Sequence, residues 1–156
     1  MNISVSEAIS ESNMRAATQR KATTSANAEQ IVTQTWNILR IVYSAVPVVA
    51  GADKFTNLLT TWENYLNPLV TRLLPISGHA FMDIVGIIEI AAGIVVFARP
   101  RLGAYVVTAW LVGIALNLIT SGLYLDVAVR DLVMAVGAYS FARLTPVVQS
   151  YREQHH

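Results

Sequence analysis

The chain has 156 residues, of which 54% are apolar and only 13% charged, with a formal net charge of +1 and no cysteine. An average soluble domain carries about 25% charged residues, so a soluble protein this small would lack the charges to cover its surface, and the excess apolar surface calls for lipid. The near-neutral balance argues against a nucleic-acid binder, which would show a basic stripe, and the missing thiols exclude disulfides, thiolate metal sites, iron–sulfur ligation and thiol redox chemistry.

Residues 1–30 are a different material from the rest: Ser, Thr, Ala, Asn and Gln dominate, with Arg15, Arg20 and Lys21 and no sustained apolar run. The apolar core of a secretory signal is missing, and this composition predicts a flexible cytoplasmic tail. Four apolar stretches follow, at about 31–51, 79–98, 102–120 and 123–144. Each is near the roughly 20 residues needed to cross a bilayer. They predict an all-α integral membrane four-helix bundle over 31–145, with a short cytoplasmic tail at 146–156. Arg99-Pro100-Arg101 and Ser121-Gly122 are the turn signals between the last three, and connections so short force antiparallel neighbours.

A longer segment, 55–76, joins the first and second spans. Its Phe55, Leu58, Leu59, Trp62 and Leu66 recur at the spacing of one helix face, with Thr60, Thr61, Glu63 and Asn67 on the other. Asn67-Pro68 then bends the chain. With Trp62 and Tyr65 aboard, the segment predicts an amphipathic helix lying in the membrane interface and capping one end of the bundle. Lys and Arg set the orientation. Arg15, Arg20 and Lys21 precede the first span, Arg99 and Arg101 sit between the second and third, and Arg143 and Arg152 follow the fourth. The opposite side has Lys54 and Arg72. Both termini are therefore expected in the cytoplasm.

Ionisable groups inside the spans are the informative residues, since each costs several kcal/mol unless paired or wetted. The first span carries Arg40, Tyr43, Ser44, Pro47, Gly51 and Lys54 on one stripe, and the second carries Asp83, Gly86, Glu89 and Gly93. Two glycines flank Glu89 on its own face and let a neighbouring helix approach its carboxylate. Ala109, Gly113 and Asn117 recur every four residues on the third span, and the fourth carries Asp126, Arg130 and Asp131. Pro47 frees the carbonyl of Tyr43 and kinks its helix. At 1.5 Å of rise per residue, Arg40 lies roughly 16 Å inward from Gly51 and Glu89 roughly 15 Å inward from His79, which predicts an Arg40–Glu89 pair. Lys54, Asp83, Asn117, Asp126, Arg130 and Asp131 form a second expected cluster, a polar pocket nearer the outer face. Paired charges of this kind can fix helix register or serve a ligand. Trp36, Trp62 and Trp110 read as packing or interfacial residues.

His79 stands at a membrane boundary and His155 and His156 in the tail, so no span carries a histidine pair for haem. His-plus-carboxylate metal spacing, a phosphate-binding glycine loop and a nucleophile elbow are all missing from the sequence. No catalytic or metal-ligating set is therefore expected from this chain on its own.

Over about 38–144 the chain resembles the DoxX/DoxD-like family of small bacterial four-helix membrane proteins. The resemblance rests on Arg40 followed by Val49-Ala50-Gly51-Ala52-Asp53-Lys54-Phe55, on Gly86, Glu89 and Gly93 with the basic turn Arg99-Pro100-Arg101, and on Arg130-Asp131. The Trp62-containing segment and the polar N-terminal tail depart from the shortest members. The resemblance implies a bacterial inner-membrane protein, some relatives being linked to quinone-coupled sulfur oxidation or membrane redox assemblies. A non-catalytic or accessory subunit of such a complex is the leading expectation, with membrane-protein partners or further copies of itself. Binding of a quinone, lipid or other amphipathic molecule through Lys54, Glu89, Arg130 and Asp131 is the second, and a small-solute or proton pathway the third.

Overall fold

A computed structural model describes residues 5–68 and 76–154. Four helices form it: α1 (Val5–Asp53), α2 (Gly78–Ala98), α3 (Pro100–Ser121) and α4 (Leu125–Gln154), with a single 3-10 turn at Trp62–Tyr65. The described residues contain no strand. Two of the helices, α2 and α3, are long and apolar enough to cross a membrane.

Local chemistry sets the helix ends. The Ser77 hydroxyl caps α2 by accepting the Ala80 N–H at 3.2 Å. Arg99 leaves helical geometry, and Pro100 restarts the chain as the first residue of α3, where its missing N–H would be unpaired anyway. Gly122 ends α3 in the left-handed conformation at φ 70°, which glycine adopts without the steric cost of a Cβ. The next corner, Tyr124, also has positive φ (56°), and its ring is held against Tyr65 at 4.5 Å between centroids.

α1 packs chiefly on α2, and α3 chiefly on α4. Glycine sets the first of these contacts. A Cβ on Gly51 would lie 2.5 Å from the Gly86 carbonyl oxygen, and one on Gly93 would lie 2.5 Å from that of Ser44. Ser44 and Gly51 are seven residues apart, as are Gly86 and Gly93, so the two helices run antiparallel in fixed register. Gly103 performs the same service between α2 and α3, its bare Cα lying against the backbone of Val96. Tyr43 reaches from α1 to α4 and donates its hydroxyl to the Met134 carbonyl at 2.8 Å, over Gly137.

Two apolar clusters fill the interior. The larger holds Trp36, Val96, Val107, Phe141 and Val148; the smaller holds Ala115, Leu118 and Ala128, with Tyr65 against it. Trp36 is buried, and its indole N–H donates at 3.0 Å to the Thr145 hydroxyl, which donates at 2.9 Å to the Phe141 carbonyl. Outward, the bundle is apolar as well: Val46 is 52% exposed on α1, Ile87 60% on α2, Leu116 55% on α3 and Val133 67% on α4.

Three features differ from the sequence expectation. Residues 5–30 are helical and continuous with the first span, exposed from Glu7 to Ala28. Their Ala, Gln, Glu and Arg are good helix formers, Glu11 and Arg15 pair one turn apart at 3.7 Å, and the packed second half of α1 supplies the helical nucleus that a free peptide would have to form. Over 55–66 there is no amphipathic helix. Asp53 instead accepts hydrogen bonds from the N–H groups of Leu58 and Leu59 at 3.1 Å, with Asn57 at φ 49°, and winds the chain into a turn about the end of α1. Phe55, Leu58 and Leu59 stay exposed while Leu66 alone of that stripe is buried; the remainder of the expected segment, including Arg72, lies outside the described residues. Finally, α4 runs ten residues past its apolar stretch, to Gln154.

Candidate functional site

Where the two apolar clusters adjoin, the bundle encloses charge. The α1 helix ends on consecutive buried residues of opposite sign, Asp53 (7% exposed) and Lys54 (4%). Lys54 turns its ammonium to Glu89 of α2 at 2.6 Å, with both side chains buried. Trp110 of α3 donates its indole N–H to the other Glu89 oxygen at 3.3 Å. The Trp62 ring lies over the Lys54 ammonium at 3.8 Å and donates its own N–H to Asp53 at 2.8 Å. A desolvated cation over tryptophan contributes about 2 kcal/mol or more. Asp53 is further held by two backbone N–H groups and the Thr56 hydroxyl. The result is one connected set, Asp53–Trp62–Lys54–Glu89–Trp110, in which each buried charge is met by a partner, the condition under which buried ions persist.

Asp131 of α4 is buried beside this set, close enough to feel the charges of both Glu89 and Lys54. Its short contact is with Arg130, Nε to Oδ1 at 3.6 Å, and the Arg130 side chain is 64% exposed. The pair therefore forms a polar link from the surface toward the interior.

The expected Arg40–Glu89 pair is not made. Arg40 donates instead to the Phe97 carbonyl at 2.6 Å, its guanidinium lying 5.4 Å from the Trp36 ring and 4.9 Å from that of Phe97. An α1 that ended level with His79 would bring Arg40 to the depth of Glu89. Gly51 in fact faces Gly86, seven residues further into α2, so the end of α1 sits about 10 Å deeper and delivers Lys54, not Arg40, to Glu89.

The expected outer pocket likewise divides. Lys54 and Asp131 go inward with Glu89. Asp83, partly exposed, faces His79 at 3.9 Å, and Asn117 donates to the Tyr65 carbonyl at 3.4 Å. Asp126 and Arg130 are exposed. In the connecting segment Glu63 meets His79 at 3.0 Å, and its own backbone N–H, followed by the histidine, holds its carboxyl below the ordinary glutamate range. Trp62 and Trp110, which the sequence alone marks as packing or interfacial residues, are half-buried members of the connected set. No periodicity could have joined Trp62 to Lys54, because the chain between them is a turn; Trp110 follows from the same α2–α3 register that Gly103 and Val96 define.

Among the described residues no group of three or more His, Asp or Glu is placed to hold a metal ion. The chain matches no family model, no curated protein and no solved structure in comparisons with known proteins.

Proposed function

We propose that this chain is a four-span protein of a bacterial inner membrane, with both ends cytoplasmic, and that it serves as a non-catalytic subunit of a membrane redox or energy-converting assembly. The observation that carries the membrane reading is the apolar exterior common to all four helices, with Val46, Ile87, Leu116 and Val133 each more than half exposed. Lone exposed apolar residues need no explanation, but a belt of them around a bundle marks contact with lipid or protein. Charge supports the orientation: Arg99, Arg101, Arg143 and Arg152 gather at the end from which the polar half of α1 emerges, while Glu63, Asp83 and Asp126 occupy the other. The subunit reading draws on the resemblance to DoxX/DoxD-like proteins and on that exposed helix, a surface for a partner outside the bilayer.

The absence of cysteine makes the test clean. Single-cysteine variants Ser25→Cys and Leu59→Cys, probed in intact cells with a membrane-impermeant maleimide, are expected to label only at position 59. Labelling of both, or of position 25 alone, defeats the topology. For the subunit role, the protein extracted in mild detergent is expected to migrate with other membrane proteins on native gels; a chain that runs alone defeats it.

A second reading is supported by the Arg130–Asp131 link. An amphipathic molecule such as a quinone would meet Arg130 at the surface and Asp131, Glu89 and Lys54 within. Asp131→Asn and Glu89→Gln are then expected to weaken quinone binding, and unchanged binding in both removes the idea.

A further inference from the structure

At the end of the bundle opposite Trp62, the turn from Ala98 to Leu102, with Tyr105 of α3 and Gln149 of α4, lines a shallow cavity broadly open to the surface. The charged residues of its wall are Arg99 and Arg101; no carboxylate is among the lining residues. The turn is stiff. The Arg99 N–H is bonded to the Val95 carbonyl at 2.7 Å, Pro100 fixes the next φ, and the Gly103 N–H returns to the Arg99 carbonyl at 2.9 Å. The backbone that carries both arginines is therefore fixed before any ligand arrives, which removes the backbone part of the ordering cost of binding.

The rest of the wall is of opposite character. Leu102 of the wall is 52% exposed, and Phe97, which does not line the cavity but lies two residues before Arg99, is 64% exposed. Tyr105 meets Tyr139 of α4 edge-on, 6.2 Å between centroids. These residues continue into the apolar exterior of the bundle, so the cavity has a cationic rim that merges into an apolar flank. A free anion would use the rim alone. A molecule with an anionic head and long apolar tails uses both.

We propose that this cavity is a site for an anionic phospholipid, its phosphate held by Arg99 and Arg101 and its acyl chains lying over Leu102 and Tyr105. The proposal rests on the membrane reading above. Arginine suits the head because its planar fork can engage two phosphate oxygens at once, and each basic residue near an anionic headgroup contributes enough that a pair changes binding by roughly tenfold or more.

The test uses the full chain in a neutral detergent, with bound lipid counted by native mass spectrometry after adding phosphatidylglycerol, phosphatidylcholine or inorganic phosphate. Wild-type protein is expected to retain phosphatidylglycerol roughly tenfold better than phosphatidylcholine. Arg99→Gln/Arg101→Gln is expected to lose that preference, and Arg20→Gln/Lys21→Gln, which removes equal charge elsewhere on the same side, to keep it. Equal retention of the two lipids by wild-type protein overturns the proposal. So does a preference that survives Arg99→Gln/Arg101→Gln, or inorganic phosphate displacing the lipid at equal concentration. The wild-type comparison decides even where the double variant fails to fold. A correct cysteine-labelling pattern with no lipid preference removes this site alone, whereas a wrong pattern removes the membrane reading and the site together.

Discussion

Lys54 and Glu89 face each other at 2.6 Å with almost no solvent, and the pair invites an experiment that separates fold from function. Removing one member of a buried ion pair strands the other and costs about 3–5 kcal/mol, whereas replacing both with apolar residues of similar volume is often neutral. Lys54→Met is accordingly expected to lower thermal stability in detergent steeply, and Lys54→Met/Glu89→Leu to recover most of the loss. If quinone binding or complex assembly stays absent in the recovered double variant, the pair has a role beyond holding helices together. The members of this pair were legible in the sequence as residues too costly to bury alone; the pairing was not. Arg40 and Lys54 stand on one stripe of α1, and the choice between them depends on how far α1 penetrates relative to α2, a tertiary quantity that no residue spacing encodes.

That penetration is set at the level of elements by glycine. At position 93 even a methyl group would meet the Ser44 carbonyl oxygen at 2.5 Å, an atom of the helix backbone that cannot step aside. Gly93→Ala is expected to destabilise by about 1–3 kcal/mol through overpacking. Gly113 is the built-in control: a Cβ there has nothing within 4 Å, and Gly113→Ala is expected to stabilise α3 by about 0.5–1 kcal/mol. Thermal melts of the two variants side by side check both signs. α2, α3, α4 and the second half of α1 were readable because each has a long apolar run, with strong punctuation such as Pro100 and Gly122 between them, whereas the polar first half of α1 has no such run. The segment after α1 misled for a specific reason. Phe55, Leu58, Leu59 and Trp62 keep helical spacing, yet the Asp53 carboxylate captures the N–H groups of Leu58 and Leu59, and a local side-chain acceptor of this kind competes directly with helix.

For the molecule as a whole, α1 is the unusual part: 49 residues in one helix, about 73 Å of rise, more than twice the roughly 30 Å of a bilayer's hydrocarbon core. Arg15, Arg20 and Lys21 lie in its exposed half, where opening needs no loss of tertiary contact. Trypsin applied to inverted vesicles is expected to cut early at these positions and give a product whose N-terminus is Ala22; protection there would show the segment covered. The same continuity joins the outside to the buried charges, because Lys54 directly follows the last residue of α1. Sliding along the axis is blocked where the Gly51 and Gly86 backbones touch. Bending is easier at Pro47, which leaves the Tyr43 carbonyl without its helical donor. In the proposed four-span reading the rod is a lever with its fulcrum inside the bilayer: whatever grips its far tip and tilts it pulls on the ammonium at its near end.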